Sequence, residues 1–242
     1  MMRILSLAAV AVLFSGAASA APLQVYFNDM DGGETFGAGV TGSFMDPVGT
    51  VIESVQGFAG LGLPGNQFSG DFARNISNSH PGSSLTLQLN NLPSHDSVDI
   101  GFLFAAIDSW DSDNGSVSPD WFEVLVDGAL ITARTFANAS GSNTSSFGVD
   151  IGSGLVNRGF SSYSDRAFDT NSDPALDVAH SASTLTVEFR SNGAGWQGGS
   201  DESWAIDNLN VSINTTAAVP EPAGLALALG GVLGIAALRR RG

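Results

Sequence analysis

Apolar residues alternate with polar ones at a spacing of two along several short segments of this chain. Leu, Val, Ile and Phe take every second position in the segments 84–90, 97–105, 120–126, 183–190 and 209–213. A period of two places these side chains on one face of a β-strand. Asp127-Gly128, directly after one segment, is typical of a two-residue hairpin turn. The intervening stretches are rich in Gly, Ser, Thr, Asn and Asp. The pattern predicts an all-β fold, an antiparallel β-sandwich.

Two places depart from this regular pattern. Near the end of the sandwich, Trp204 and Ile206 keep one register of alternation, whereas Leu209 keeps the other. This shift predicts a β-bulge at Asp207, and bulges redirect side chains. Residues 137–182 are the least regular stretch, and the sequence leaves open whether they are strands with long loops or an excursion over one sheet.

The charge of the chain is strongly negative, and its few cations are all arginine. The formal net charge of the 242 residues is −15. Residues 21–219 contain five arginines and 23 acids, a formal charge of −18. This excludes a nucleic-acid binder that depends on a basic face, and it suits divalent cations. The absence of cysteine excludes disulfides, zinc–thiolate sites and a cysteine nucleophile.

The N-terminus has the parts of a secretory signal peptide. Arg3 precedes the apolar stretch 4–14, and Ala18-Ser19-Ala20 offers small residues for cleavage. The other interpretation is an anchor helix, but this apolar stretch is too short to span a bilayer comfortably. We therefore expect residues 1–20 to form a signal helix that directs export, and residues 21–215 to form the sandwich domain.

The C-terminus combines a proline-flanked glutamate, an apolar segment and a basic end. Val219-Pro220-Glu221-Pro222 precedes residues 223–238, which carry no charge, and Arg239-Arg240-Arg241 follows. Residues 223–238 predict a transmembrane helix of roughly 24 Å, with the arginines on the cytoplasmic side. A plain tail anchor would show these features too. In the order of its parts, segment 216–242 resembles the PEP-CTERM sorting signal of Gram-negative bacteria.

That resemblance implies a partner and a destination. An exosortase, a membrane-embedded transpeptidase, would recognise the sorting residues Val219, Pro220, Glu221 and Pro222 with the terminal arginines Arg239, Arg240 and Arg241. The protein would begin as an inner-membrane-anchored precursor. Cleavage would then pass the domain to the outer surface or the extracellular matrix.

The central domain bears a second resemblance. Residues 204–209, Trp-Ala-Ile-Asp-Asn-Leu, resemble the closing strand of MAM-like and reelin-like jelly rolls, and residues 27–31 and 120–128 are similar to other parts of these domains. The resemblance implies a jelly roll in which Asp29, Asp31 and Asp207 hold a Ca²⁺ ion. Carboxylate and carbonyl oxygens are the ligands that Ca²⁺ prefers. In the other interpretation, Asp207 accepts hydrogen bonds from backbone amides.

Two further acidic loops are candidate calcium sites. In residues 108–115, the spacing of Asp111, Asp113 and Gly115 partly resembles an EF-hand loop. This sequence has no acid at the twelfth position, where an EF-hand has its final ligand. In residues 169–173, proline follows where an EF-hand needs glycine. Polar, solvated turns are favoured for both, because Asp and Asn are common in turns.

Trp110 and Trp196 lie in apparent loops, where an indole could stack on a sugar. In the competing interpretation, both indoles pack into the core.

Two common catalytic motifs, His-Glu-x-x-His and Gly-x-Ser-x-Gly, are absent from the sequence. The sequence therefore favours an exported, non-enzymatic surface or matrix protein with a Ca²⁺-stabilised domain. The alternative is a polysaccharide-binding module or polysaccharide-active enzyme, with an exopolysaccharide as partner.

Overall fold

Strands make up nearly all the regular structure of the described residues. The computed structural model describes residues 21–45 and 49–215, and Ala21–Thr215 packs as one unit. The strands are β1 (Leu23–Asn28), β2 (Glu34–Phe36), β3 (Thr41–Met45), β4 (Thr50–Ser54), β5 (Gly62–Leu63), β6 (Asn66–Gln67), β7 (Asp71–Asn75), β8 (Leu85–Asn90), β9 (Ser97–Asp108), β10 (Trp121–Val126), β11 (Ala129–Arg134), β12 (Val149–Asp150), β13 (Arg166–Asp169), β14 (Asp177–Ala179), β15 (Thr184–Asn192) and β16 (Glu202–Asn214). Two 3₁₀ turns span Gln56–Phe58 and Pro174–Leu176.

The predicted signal peptide, residues 1–20, lies outside the described residues. So does segment 216–242, with its predicted sorting motif and its predicted transmembrane helix 223–238. Within the described part of the chain, no helix has the length and apolar character needed to cross a membrane.

The first sheet is organised around two long antiparallel strands, β9 and β16, which pair with each other along most of their length. Each long strand carries two short strands, end to end, on its other side. β16 pairs with β7 over residues 204–206 and with β1 over residues 209–213. β9 pairs with β13 and then with β14. Strands β2, β4 and β12 extend the sheet outward from β1, β7 and β13.

The second sheet is a five-stranded antiparallel sheet in the order β11-β10-β15-β8-β3. β10 and β11 are joined by Asp127 and Gly128, whose φ angles are 49° and 79°. Positive φ at both positions is what a type I′ turn requires, and its twist matches that of the flanking strands. The predicted hairpin is confirmed.

The alternating apolar residues of both sheets meet in the main core. Leu85, Leu87 and Leu89 from the second sheet are at most 1% exposed, and Phe102 and Phe104 from the first sheet are fully buried. All five belong to one apolar cluster. The structure thus confirms the all-β, antiparallel sandwich expected from the period of two.

A smaller apolar cluster covers the outer face of the first sheet. Phe58, Phe68 and Phe72 pack there against the small side chains of Ala105 and Ala205. The rings lie close together, with Phe58 and Phe68 5.5 Å apart between centroids. The centre of the first sheet is therefore buried on both faces.

Residues 137–182 form short strands joined by long loops, the first of the two arrangements that the sequence left open. β12, β13 and β14 all lie in this stretch and extend the first sheet beyond β9.

Candidate metal centre

The bulge predicted at Asp207 is present. The register of the β9–β16 pairing shifts between Asp207 and Asn210, and Asn208 has a φ of 50°. The shift lies where the outer partner of β16 changes from β7 to β1. Asp207 itself is fully buried.

Asp29, Asp31 and Asp207, here called the bulge acids, lie in one region, but backbone amides bond Oδ1 of Asp29 and of Asp31 and both oxygens of Asp207. Asp207 accepts hydrogen bonds from the N–H groups of Asn208 (2.7 Å) and Ser69 (3.3 Å). Asp29 Oδ1 accepts from the N–H of Asp31 (3.1 Å), and Asp31 Oδ1 accepts from a backbone N–H in β7 (2.6 Å).

The pKa of Asp207 nevertheless rises to about 7. Burial is the largest cause, the two backbone hydrogen bonds oppose it, and the negative charges of Asp31 and Asp29 raise the pKa further. The calcium site predicted at the bulge acids remains a prediction. Backbone N–H groups already bond one oxygen of half-buried Asp29 and one of exposed Asp31.

A tighter set of carboxylates lies elsewhere. Asp111, Asp120 and Glu202, here called the buried carboxylate cluster, each place one oxygen so that all three lie within 4.8 Å of one another. Among the described residues, this is the one group of three or more Asp, Glu or His side chains with that spacing. The three bulge acids do not bring their oxygens within this distance of one another.

The strand pattern explains why these acids point inward. Glu202 opens β16 and shares the two-residue period of Trp204, whose ring is in the core. Asp120 immediately precedes β10 and shares the period of Phe122. Asp111 follows β9 and is exposed by 7%, while the other two acids are fully buried. The cluster therefore joins elements of both sheets at one end of the sandwich.

Hydrogen bonds position the three carboxylates but do not satisfy them. The Asp111 N–H donates to Asp120 Oδ2 (2.6 Å), and the Gln197 N–H donates to Glu202 Oε2 (2.8 Å). The Ser140 hydroxyl donates to Asp111 Oδ1. Asp120 Oδ1 and Glu202 Oε1 are buried without a hydrogen-bond partner.

Burial raises the pKa values of Asp120 and Glu202 well above their ordinary range. Backbone N–H donors oppose that shift, and a hydrogen bond that protonated Glu202 would donate to Asp120 also lowers the pKa of Asp120. The neighbouring negative charges of the cluster and of Asp201 raise both pKa values further. No salt bridge among the described residues involves the cluster: the arginine pairs are Arg74–Glu53, Arg134–Asp173 and Arg190–Glu123.

Such a group needs a positive partner. A buried carboxylate without one costs several kcal/mol, so it must either take up a proton or bind a cation. Oxygen-only ligands from carboxylates are the donor set of Ca²⁺ and Mg²⁺. The residues present therefore fit a divalent cation.

Of the two other acidic loops, the first contributes one acid to the cluster and the second contributes none. Asp111 belongs to the cluster, but Asp113 does not: it is exposed and accepts a hydrogen bond from Asn143 Nδ2 (2.6 Å).

In the loop at 169–173, Arg134 Nη2 donates to both carboxylate oxygens of Asp173, at 3.0 Å each. Asp169 and Asp173 are 2% and 7% exposed and pair with Asn66 and Arg134 from outside the loop. The loop is therefore not the solvated turn that its composition favoured, because packing against β9 and β11 buries its acids.

The indoles of Trp110 and Trp196 are not an exposed sugar platform. Trp110 is fully buried and Trp196 is 3% exposed, and their rings meet edge to face at 5.0 Å. Trp196 is buried despite its glycine-rich loop because Gly195 packs on the backbone of residues 117–118 and its N–H donates to the Pro119 carbonyl (3.1 Å). The core interpretation of both residues is the one that the structure supports.

Sequence reasoning missed Asp120 and Glu202 as candidate ligands. The available signal was their spacing: each acid stands one period before a core aromatic, where a solvated acid is not expected. What the sequence does not display is that the starts of β10 and β16 meet.

No protein-family model matches this chain, and no curated protein matches it. Among solved structures, a chain in the structure of infectious bursal disease virus, Gt strain, matches with 17% sequence identity and a TM-score of 0.25. The match covers 57% of this chain and 30% of the virus chain. A likeness this partial carries no argument about function.

Proposed function

We propose that the buried carboxylate cluster binds one Ca²⁺ ion, and that this ion stabilises an exported, non-enzymatic β-sandwich domain. The observation that carries the proposal is the pair of unpartnered oxygens, Asp120 Oδ1 and Glu202 Oε1, within a set of three buried carboxylates. A cation at that point supplies the charge that the surrounding residues lack.

Calcium fits the cluster better than magnesium. Mg²⁺ usually keeps several bound waters, whereas Ca²⁺ accepts six to eight protein oxygens in variable geometry. Two of the three acids are fully buried, which leaves little room for a hydrated ion. Export would bring the domain to a compartment where its strongly negative surface meets free divalent cations.

The position of the cluster favours a structural role over catalysis. Asp111 lies after β9, Asp120 before β10, and Glu202 at the start of β16, so one ion would connect both sheets. A glycosidase carboxylate pair must reach a sugar, and the buried acids of the cluster are not at the surface.

Thermal unfolding of the full-length chain tests the calcium proposal. At a Ca²⁺ concentration about 100 times Kd, binding adds about 2.7 kcal/mol to the free energy of unfolding. For a domain of this size that corresponds to a rise in Tm of roughly 5–10 °C over the EDTA-treated protein. Glu202→Gln should abolish the rise.

Asp113→Asn is the matched control, because Asp113 is an exposed acid in the same loop region as Asp111. It should keep the full Ca²⁺ response. A wild-type Tm that EDTA and millimolar Ca²⁺ leave unchanged would refute calcium binding.

The destination belongs to the same proposal and is supported by the sequence motifs alone. A signal peptide at 1–20, the Pro-Glu-Pro motif and the terminal arginines together indicate export, anchoring in the inner membrane and exosortase processing. We also propose that the strands of the sandwich are connected as in a jelly roll, as the resemblance of residues 204–209 to the closing strand of MAM-like and reelin-like domains implies.

Cell fractionation tests the sorting step. Glu221→Ala, or deletion of residues 239–241, should leave the uncleaved chain in the membrane fraction. Wild-type processing of both variants would contradict recognition by an exosortase.

A further inference from the structure

An open cleft of about 420 Å³ lies on the first sheet beside the β5–β6 hairpin. Its lining includes Phe27, Leu63, Asn66, Asp169, Asn171 and Asn210. The volume falls within the range of small-molecule sites. We propose that this cleft binds an uncharged oligosaccharide, independently of the metal centre.

Two lining amides of the cleft, those of Asn171 and Asn210, lie against a glycine inside a long strand. Gly101 lies within β9, and an added Cβ there would collide with Asn171 Oδ1 and lie 2.9 Å from Asn210 Nδ2. A glycine in a strand interior marks a place where other groups approach the backbone closely. Here it allows two side-chain amides to lie against the sheet, and Asn210 Nδ2 donates to the Gly101 carbonyl (3.0 Å).

Hydrogen bonds hold the amides of the cleft in fixed positions. Asn210 Nδ2 also donates to Asn171 Oδ1 (3.0 Å), and Asn171 Nδ2 donates to Asp169 Oδ1 (2.7 Å). Asn66 Nδ2 donates to the other oxygen of Asp169 (3.0 Å). Ligand-binding groups that are already ordered lose less entropy when they bind.

This network presents polar groups without presenting charge. Asp169 is the charged residue of the lining, it is 2% exposed, and both its oxygens accept hydrogen bonds from the amides. A side-chain amide has two N–H donors and a carbonyl with two lone pairs. Both N–H groups of Asn210 are used within the protein, so Asn210 offers a ligand its Oδ1. Asn66 and Asn171 each donate one N–H to Asp169 and keep a second N–H for a ligand. Sugar hydroxyls both donate and accept, and they match such a surface.

An apolar wall completes the match to a sugar. Leu63 is 48% exposed, and Phe27 is half-buried beside it in the lining. A pyranose ring has a face of C–H groups that packs on apolar side chains while its hydroxyls bond to polar ones. The formal charge of −18 over residues 21–219 would repel uronate or sulfate chains. An uncharged oligosaccharide is therefore the occupant that the cleft favours.

A glycan array probed with the full-length chain tests the proposal. The array should carry neutral oligosaccharides, uronate and sulfated oligosaccharides, and uncharged peptides. We expect retention of at least one neutral oligosaccharide. Calorimetry with that oligosaccharide should then show affinity at least fivefold weaker for Leu63→Ser and for Asn210→Ala.

Leu130→Ser is the matched control, because Leu130 is 54% exposed on the other sheet and lies outside the lining. Its affinity should equal that of the wild type. If Asn210→Ala does not fold, the exposed Leu63 still decides the outcome. The proposal is overturned if the array retains no neutral oligosaccharide, retains only anionic glycans or peptides, or if Leu63→Ser binds as tightly as the control. Glu202→Gln should bind the sugar normally, which separates this outcome from that of the calcium proposal.

Discussion

The bulge acids and the buried carboxylate cluster have similar compositions but different surroundings. Each region combines three acids, two of them near each other in sequence and one distant, and each contains a fully buried carboxylate. At the bulge, both oxygens of Asp207 accept backbone N–H groups. In the cluster, Asp120 and Glu202 each keep one oxygen without a partner.

The comparison shows that burial alone does not identify an ion site. Backbone N–H donors can meet the needs of a buried carboxylate, as they do at a turn or bulge. The informative feature is an oxygen left over after every nearby donor has been used. By that criterion the cluster requires a cation or a proton, whereas the buried acid of the bulge, Asp207, has backbone N–H donors for both its oxygens.

Replacing one glycine in each region with alanine should lower the free energy of unfolding by different amounts, more for Gly115 beside the buried carboxylate cluster than for Gly70 beside the bulge acids. In Gly115→Ala the new Cβ would collide with the Asp111 carbonyl, which is backbone. In Gly70→Ala it would collide with the exposed Asp31 carboxylate, a side chain that can move away by giving up one backbone hydrogen bond, although the φ of +58° adds strain. We expect a loss of about 3 kcal/mol or more for Gly115→Ala and about 1–2 kcal/mol for Gly70→Ala.

Urea unfolding in EDTA and in Ca²⁺ measures both losses. Only Gly115→Ala should also weaken the stabilisation by Ca²⁺, because it displaces the loop that carries Asp111. Equal losses, with equal Ca²⁺ responses, would remove the distinction between the regions.

Neutralising the buried acid of the bulge should leave the Ca²⁺ response intact. Asp207→Asn retains the shape of the side chain and removes its charge. We expect its Tm to rise with Ca²⁺ by the same roughly 5–10 °C as the wild type, since Asp207 lies outside the cluster. If the rise disappears in Asp207→Asn and persists in Glu202→Gln, the ion belongs to the bulge acids.

The stability of the EDTA-treated protein should fall as pH rises. Burial raises the pKa values of Asp120, Glu202 and Asp207 in the folded state, whereas the unfolded acids titrate near pH 4. Between those values the folded state binds more protons than the unfolded state, so the free energy of unfolding decreases with pH. Denaturant unfolding from pH 5 to pH 8 measures the slope.

Ca²⁺ should flatten that slope, because the ion replaces the protons of the cluster. Glu202→Gln should flatten it in EDTA as well. The contribution of Asp207 should persist in both cases, up to its pKa of about 7. A stability that is constant or rises over this range would contradict the assigned directions.

Much of the fold follows from short-range pattern, and the site does not. The alternation in residues 84–90, the Asp127-Gly128 turn and the register shift at Asp207 are local features, and each appears in the structure. Asp120 and Glu202 meet through the packing of two sheets. Trp196 illustrates the same limit, since its burial depends on how closely glycines approach a distant loop.

X-ray diffraction from crystals grown with Ca²⁺, measured at a wavelength where calcium scatters anomalously, tests the central claim most directly. The account predicts an anomalous peak about 2.3–2.6 Å from oxygens of Asp111, Asp120 and Glu202. A structure with no peak among these three carboxylates, or with its calcium at Asp29, Asp31 and Asp207 instead, would contradict it.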